Sequence, residues 1–452
     1  MKNLAMLLAG LAVAIPLHLD AHAEDLEQAW MVAQRVNAQL DAQRLESRVA
    51  GLNLDAARRA RLPSVQNFTV NALITPAPRI KNPQQSGSNG SNSGGFGQIF
   101  GNNQHELPIS STSLVVPIYT GGRLKANVAN AGEQLNAQKT EEMRTGLDLK
   151  LTVAEAYVGV LRAGRDLQVS LSDVERLGSF GRDVKNRLEQ GLATRNDQLA
   201  ASVSLSNARL REIQSRKTLA QAWATYNRYL CRPFGTVVEM QDLRVEPGPP
   251  PPVPRSAAEL AIPDEQAVAE LTDRAIRLRP ELAGLAAQSR GLDAQADAAR
   301  SVIRPQITSY TGHTLLGSTV LSNDNFLTST VLLQWTLTDS GSTRRRTEAL
   351  RTQARATSRR QADAATDVAL QVRTRWLDVQ ETRQRIPVAR EAIAQAEENI
   401  KVVLDRYSQG LSTYTEVLDA ENRRVQAATN DYDANYDSVL ATFRLRRAVG
   451  DL

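Results

Sequence analysis

The sequence has a single cysteine, Cys231, and aromatic residues make up only 4% of its 452 positions. One cysteine excludes an intrachain disulfide, and its place in mid-chain excludes an acylated amino-terminal cysteine. The net charge of +5 arises from acidic and basic residues that are mixed along the chain. Too few aromatic side chains accompany the basic ones to form a nucleic-acid-binding surface, so we expect no nucleic-acid partner.

Histidine is also scarce, and after residue 23 only His105 and His313 remain. Neither belongs to an HExxH motif or has a cysteine at ligand spacing, so we expect no metal site and no cofactor. A glycine-rich run at 94–97 is not followed by Lys-Ser or Lys-Thr, which favours a loop over a phosphate-binding cradle. No motif unites a nucleophile, a base and an orienting group, so the sequence does not indicate an enzyme.

Long apolar runs are missing after the amino terminus. The run from Leu4 to Leu19 precedes Ala21-His22-Ala23, the pattern that signal peptidase cleaves, so 1–23 is predicted to be a signal peptide. The alternative is a retained anchor, but the run contains Gly10 and Pro16 and is shorter than the roughly 20 residues of a spanning helix. Any membrane crossing by the rest of the chain must therefore use β-strands.

The two halves of the chain share a residue pattern. Seven residues, Arg187, Gly191, Leu192, Thr194, Leu199, Ala201 and Ala208, recur 219 positions later as Arg406, Gly410, Leu411, Thr413, Leu418, Ala420 and Ala427. Further upstream the spacing is 242, as between Pro63 and Pro305, and the extra 23 residues fit a Gly/Ser/Asn-rich loop at 82–104. The pattern predicts two repeats, 24–245 and 264–452, joined by a stiff proline-rich linker at 246–263.

Each repeat contains one very long helical segment, at 123–190 and at 342–409. Each segment spans 68 residues, about 100 Å of helix, and carries a heptad seam that predicts coiling against antiparallel neighbours. Shorter helices are predicted at 25–61, 196–230, 264–303 and 414–449. Two short helices placed end to end match one long helix, so stacked pairs could line a cylinder.

Four charge-poor segments of about 10 to 12 residues are predicted to be strands: 64–74, 108–119, 306–316 and 326–337. They form one strand pair per repeat, 64–119 and 306–337. This is the length of a tilted strand that crosses a bilayer, and Tyr119 and Trp335 at the strand ends fit an interfacial aromatic girdle. Four strands cannot close a barrel, whereas three copies of the chain would supply twelve. The alternative is a soluble sandwich of two hairpins.

Two motifs carry a family resemblance, Pro117-Ile118-Tyr119-Thr120-Gly121-Gly122-Arg123 and the segment 406–420, which begins Arg406-Tyr407-Ser408-Gln409-Gly410. With them the chain resembles the TolC family of outer-membrane efflux proteins over essentially its whole mature length. The resemblance implies a mainly α fold with a small β part: a trimer with a twelve-stranded barrel in the outer membrane and a long periplasmic α-barrel. It implies a passive channel for efflux or type I secretion, located in the outer membrane of a Gram-negative bacterium. The expected partners are a periplasmic adaptor (membrane fusion) protein, an inner-membrane pump of RND, ABC or MFS type, and outer-membrane lipid.

The resemblance also assigns roles to individual residues. The tip turns that dock the adaptor would comprise Gly191, Leu192, Thr194, Gly410, Leu411 and Thr413. Glu416 and Asp419 match positions that line the periplasmic aperture; as residues three apart on a helix, they would form two carboxylate rings in a trimer and attract cations. The alternative is two solvated surface charges.

Tyr407 and Asp197 match a latch that holds neighbouring helices closed. Ser412 departs from the family pattern, which has an arginine there, so closure is expected to be weaker or to depend on Arg195 or Arg406.

A rival function remains open at this stage, a periplasmic coiled-coil scaffold or adhesin without a pore. The heptads alone would permit it. Such a protein has no use for four charge-poor strands at matched positions in two repeats.

Overall fold

The computed structural model describes residues 23–73, 106–243, 265–316 and 325–452. The predicted signal peptide up to residue 22, the loop at 82–104 with its glycine-rich run, His105 and the linker at 246–263 lie outside the described residues.

The described chain is mainly helical with one small sheet, which confirms the predicted fold class. The helices are α1 (Leu26–Val36), α2 (Ala38–Arg59), α3 (Arg123–Glu189), α4 (Arg195–Tyr229), α5 (Glu265–Leu278), α6 (Pro280–Arg300), α7 (Ser342–Ser408) and α8 (Tyr414–Val449). The strands are β1 (Ser64–Leu73), β2 (Glu106–Tyr119), β3 (Gln306–Leu316) and β4 (Asn325–Gln334). The two long helices, α3 and α7, have 67 residues each.

The first helical segment of each repeat differs from the prediction because it is broken once. Asn37 separates α1 from α2 with φ −70° and ψ 118°, and Arg279 separates α5 from α6 with φ −68° and ψ 121°. The two residues are 242 positions apart, so the break belongs to the repeat. Asn37 caps α2 by accepting hydrogen bonds from the amides of Gln39 and Leu40, and Pro280 begins α6, where its missing N–H costs nothing.

The described chain divides into two compact units, and each contains parts of both repeats. Unit 1 comprises the described parts of Met1–Asp41, Thr145–Leu278 and Val368–Leu452. Unit 2 comprises the described parts of Ala42–Arg144 and Arg279–Asp367. None of the helices in the described ranges has the length and apolar content to cross a membrane.

Unit 2 holds the sheet, in which the order is β1-β2-β3-β4 and every pairing is antiparallel. Ser64, at the start of β1, pairs with Val115, and Gln306, at the start of β3, pairs with Gln334 at the end of β4. All four strand-to-helix junctions therefore lie at the same end of the sheet. The helices of unit 2 are joined by polar contacts, such as the 2.8 Å ion pair between Arg290 of α6 and Glu133 of α3.

Unit 1 has its core where α1, α3 and α4 meet. Tyr157 and Tyr226 are fully buried there, with their rings edge to face at 5.9 Å. The Tyr157 hydroxyl donates to the carbonyl oxygens of Glu24 (2.8 Å) and Gln241 (2.6 Å), and Arg232 holds the Glu24 carboxylate with two 2.8 Å bonds. These bonds tie the first described residues of the chain to the segment after α4.

Candidate functional site

Two helix turns of unit 1, between α3 and α4 and between α7 and α8, have the same geometry. In the first turn Gly191 has φ +75°, its amide donates to Leu188 O (3.0 Å), and the Leu192 amide donates to Arg187 O (2.8 Å). The same pattern recurs at Gly410, which has φ +74°. Glycine suits this left-handed conformation because it has no Cβ. Both long helices thus end in a rigid turn that glycine makes possible.

The helix that follows each turn begins with a threonine cap. Thr194 accepts from the amide of Asp197, whose carboxylate accepts from the amide of Thr194, forming a capping box. Thr413 caps α8 through the amide of Glu416, and Ser412 donates to the Glu416 carboxylate at 2.6 Å. The hydroxyl of Ser412 is the main reason why the pKa of Glu416 lies below its ordinary value. Asp197 and Glu416 are 219 positions apart, so the predicted latch and aperture acids are equivalent positions of the repeat.

The tips of the two turns expose apolar side chains. Leu192 is 71% exposed and Leu411 is 65% exposed, although both belong to well-capped turns. Single exposed apolar side chains are common on protein surfaces, but these two occur at equivalent positions of the two repeats. The structure therefore gives the predicted docking turns a fixed shape and an exposed leucine each.

Just behind the turns, the predicted latch residue Tyr407 makes a contact that the sequence did not suggest. The Arg187 guanidinium lies 4.8 Å from the centroid of the Tyr407 ring and donates to Tyr407 O (3.3 Å) and Ser408 O (3.4 Å). The Tyr407 ring in turn lies 6.0 Å from that of Tyr414, which is 2% exposed. Arg187 thus links the end of α3 to the end of α7, one turn before each glycine.

Burial raises the pKa of both tyrosines, that of Tyr414 to about 12. The charge of Asp197 is a smaller cause of both shifts, so the predicted latch partner lies close enough to act on them. A cleft of about 300 Å³ opens beside the rings, lined among others by Phe180 and Asp183. The site combines buried rings, one stacked cation and nearby carboxylates.

The two arginines on which closure was expected to depend each contact their own turn in the single chain. Arg195 donates to Gln198, and Arg406 donates to Leu411 O at 3.4 Å. Arg187, the repeat equivalent of Arg406, is the cation that stacks on Tyr407. The only signal for this role of Arg187 in the sequence was its recurrence as Arg406 at the 219-residue spacing.

The predicted aperture residues lie on the exposed face of α8. Glu416 and Asp419 are exposed, whereas Val417 and Ala420 between and beside them are 1% and 2% exposed. Arg423 forms an ion pair with Asp419 at 2.8 Å, and both side chains are more than half exposed. The two carboxylates thus point away from the packed core of their own chain, and one of them has a cation beside it.

Sequence reasoning also missed a buried ion pair one turn further along α8. Glu421 is 1% exposed and Arg424 is 7% exposed, and their side chains share three hydrogen bonds of 2.7–3.1 Å. On the facing helices Arg211 pairs with Asp173 at 2.5 Å. The i, i+3 spacing of Glu421 and Arg424 was visible in the sequence, but their burial was not.

The chain matches the family model for outer membrane efflux protein over residues 31–230 and 271–451. It belongs to the outer membrane efflux protein family. This confirms the predicted family, which is one of channels rather than enzymes. No curated protein matches the sequence.

Several solved structures of membrane channels and outer-membrane proteins share the fold. CusC is 16% identical with a TM-score of 0.76, and the match covers 94% of this chain and 92% of CusC. VceC from Vibrio cholerae is 16% identical with a TM-score of 0.72, over 94% of this chain and 96% of VceC. MtrE from Neisseria gonorrhoeae, described in an open state, is 15% identical with a TM-score of 0.70, over 94% of this chain and 88% of MtrE. The efflux-protein fold thus extends over nearly the whole chain.

Proposed function

We propose that this efflux protein is one subunit of a homotrimeric channel-tunnel that spans the outer membrane and reaches into the periplasm of a Gram-negative bacterium. The subunit conducts exported substrates passively in a tripartite efflux or type I secretion system. An inner-membrane pump of RND, ABC or MFS type supplies the energy, and a periplasmic adaptor couples the pump to the tunnel.

One observation carries the proposal, the four-stranded sheet of unit 2. Its strands contain no aspartate, lysine or arginine and a single glutamate, Glu106 at one end of β2. Its outermost strands β1 and β4 each pair on one side only among the described residues. Lipid does not tolerate an open sheet edge, so further copies must pair with β1 and β4. Three copies supply twelve strands, which is within the range of outer-membrane barrels.

The two capped turns suit an adaptor-docking tip. Leu192 and Leu411 are exposed apolar side chains at equivalent places of the repeat, so a trimer would present six of them in a ring. Burial of exposed leucines at a rigid surface is a favourable source of binding energy. We place the contact with the adaptor at these turns.

Glu416 and Asp419 are the proposed aperture residues. Both are exposed, whereas the neighbouring Val417 and Ala420 are buried, so three copies could bring six carboxylates together. Rings of carboxylates favour cations in a pore. Arg423 offsets part of the charge at Asp419, so we expect Glu416 to contribute more to selectivity.

The test is single-channel recording in planar bilayers with the detergent-purified mature protein. The proposal predicts a small, cation-selective conductance that increases when Glu416 and Asp419 are both changed to alanine. A wide pore that is indifferent to these changes would retain the tunnel and remove the proposed aperture.

The rival function, a coiled-coil scaffold, predicts no channel and a protein that does not fractionate with the outer membrane. Heat-modifiable migration in gels supplies a second, independent readout, because membrane β-barrels resist unfolding by detergent at room temperature. A folded trimer without conductance would contradict the proposal.

A further inference from the structure

Basic side chains are concentrated at the four junctions between strands and helices of unit 2. The segments 58–63, 119–126, 300–305 and 335–346 together contain ten basic residues and one acidic residue. We call the ten the basic collar: Arg58, Arg59, Arg61, Arg123, Lys125, Arg300, Arg304, Arg344, Arg345 and Arg346. The strands between them hold one glutamate and no lysine or arginine, so the collar marks an abrupt change in charge.

The sheet register places the whole collar at one end of the sheet, where the strands join the helices. Tyr119, at the end of β2, pairs with Ile307 near the start of β3, and that end of the sheet is the one where all four junctions lie. Neighbouring junctions touch directly: Arg304 donates to Gly121 O at 3.0 Å, and the Trp335 indole donates to Ile303 O at 3.2 Å. Glu106, the one glutamate of the strands, lies at the opposite end, paired with Leu73.

All ten collar residues are exposed. Two of them have surface ion pairs, Arg58 with Asp55 at 3.5 Å and Arg345 with Glu348 at 3.2 Å. The one acidic residue of the junction segments, Asp339, accepts hydrogen bonds from the amides of Thr343 and Gly341 at the start of α7. The junctions therefore keep a large excess of positive charge facing solvent.

Helix dipoles explain only part of the collar. Arg58, Arg59 and Arg300 lie in the last turns of α2 and α6, where cations are favoured. Arg123 and the three arginines Arg344, Arg345 and Arg346 lie at the amino-terminal ends of α3 and α7, where anions are favoured, yet neither helix has an acidic residue in its first turn. Cations at helix ends where the dipole disfavours them indicate that an anion from outside the chain binds there.

Exposed apolar side chains lie beside the collar in the same junctions. They are Leu62 (61% exposed), Ile118 (59%), Val302 (45%), Ile303 (40%), Trp335 (56%) and Leu337 (78%). Apolar and aromatic groups next to arginines are the composition of a membrane–water interface, where the former meet acyl chains and the latter meet headgroups. Free phosphate or a soluble acidic protein would have no need of the apolar row.

We propose that the basic collar binds the phosphodiester headgroups of anionic phospholipids in the inner leaflet of the outer membrane. The bound headgroups fix the depth of the strands, because the sheet, which has no lysine or arginine, begins where the collar ends. The inference rests on the proposed function, since it requires that the sheet lies in the outer membrane.

The test is lipid selectivity of the full-length trimer in vesicles of phosphatidylcholine. Phosphatidylglycerol or phosphatidylcholine with brominated acyl chains is titrated in, and quenching of tryptophan fluorescence gives the relative affinity of the two lipids. Trp335→Phe identifies the part of the signal that reports on the junction. A cation close to an anionic membrane surface contributes about fivefold in affinity before screening, so we expect the wild type to prefer phosphatidylglycerol by about tenfold.

The decisive variant is Arg344→Gln with Arg345→Gln and Arg346→Gln, which we expect to lower the preference to about twofold or less. The matched control is Arg355→Gln with Arg359→Gln and Arg360→Gln, the same charge change on the same helix. It lies about 20 Å further along α7, beyond two Debye lengths at physiological salt, and should leave the preference intact.

Three outcomes would overturn the inference while conductance stays normal. They are equal affinity for the two lipids, an equal effect of the control variant, and abolition of the preference by inorganic phosphate at matched ionic strength. Binding to purified peptidoglycan that the decisive variant loses, without any lipid preference, would assign the collar to the cell wall instead. Loss of the channel itself in the wild type would contradict the proposed function, so the two failures are distinguishable.

Discussion

The contact between Arg187 and Tyr407 allows a quantitative prediction about closure of the proposed tunnel. Arg187 belongs to α3 and Tyr407 to α7, so separation of the two helix ends would break the 4.8 Å stacking contact and both hydrogen bonds to α7 carbonyl oxygens. Replacement by methionine keeps an unbranched apolar stem but removes the cation and the donors. If Arg187 holds the closed state, Arg187→Met should increase the open fraction.

The magnitude follows from the geometry. A cation over a tyrosine ring contributes about 0.5–2 kcal/mol depending on its exposure. The two hydrogen bonds are long, at 3.3 and 3.4 Å, so we assign the whole contact about 1 kcal/mol per chain. A concerted opening of three chains would lose about 3 kcal/mol, which is roughly a 150-fold change in the equilibrium.

The assay is the ratio of open to closed dwell times in single-channel recordings. Arg195→Met is the matched control, because the Arg195 side chain donates to Gln198 of its own helix, and the change should alter the ratio little. Arg187→Lys keeps the charge without the planar group and should have an intermediate effect. An open fraction that Arg187→Met leaves within threefold of the wild type, or that Arg195→Met increases equally, would refute the reasoning.

Three further predictions concern the same region. Gly410→Ala should destabilise the α7–α8 turn by about 1 kcal/mol and speed proteolysis there, because alanine is strained at φ +74°. The control Gly181→Ala, within α3 and with open space around it, should not speed proteolysis. Glu416→Gln should lower cation selectivity and Arg423→Gln should raise it, as measured by reversal potentials. Because the pKa of Glu416 is lowered, the selectivity of the wild type should persist on acidification until the pH falls below the usual range of glutamate. Burial raises the pKa of Tyr414 to about 12, so its contribution to stability is complete below pH 10 and is lost as the pH rises to 12; Tyr414→Phe should remove this alkaline loss in thermal unfolding.

Periodicity and length were enough to predict the long helices and the strands. The predicted 342–409 and the observed Ser342–Ser408 differ by one residue, and the predicted 306–316 is the observed β3. Long heptads and charge-poor runs are properties of many residues at once, so single exceptions such as Pro387 within α7 do not change them.

The helix breaks at Asn37 and Arg279 were not predicted from the sequence, because each depends on one residue. An asparagine or a proline inside an apolar periodicity is a weak signal when the pattern on both sides continues in phase. Alignment of the two repeats would have indicated the break, since Asn37 and Arg279 coincide at the 242-residue spacing.

The site was predicted only in part, for a different reason. The turns, their glycines and their threonine caps followed from local sequence, whereas the Arg187–Tyr407 contact joins residues 220 positions apart. No local pattern encodes which cation reaches an aromatic ring across a helix pair. The burial of Glu421 with Arg424 likewise depends on which helices face them.

The two open edges of the sheet have a consequence for the order of events in biogenesis. In the described residues β1 and β4 each pair on one side only, so a single chain in lipid would leave the amides and carbonyls of both outer edges unbonded. For the proposed trimer, insertion must therefore wait until three chains have met, which makes the rate depend steeply on how many newly exported subunits are present. At low expression the limiting step would be encounter in the periplasm rather than the membrane itself, and a single subunit would remain exposed to periplasmic proteases during that wait.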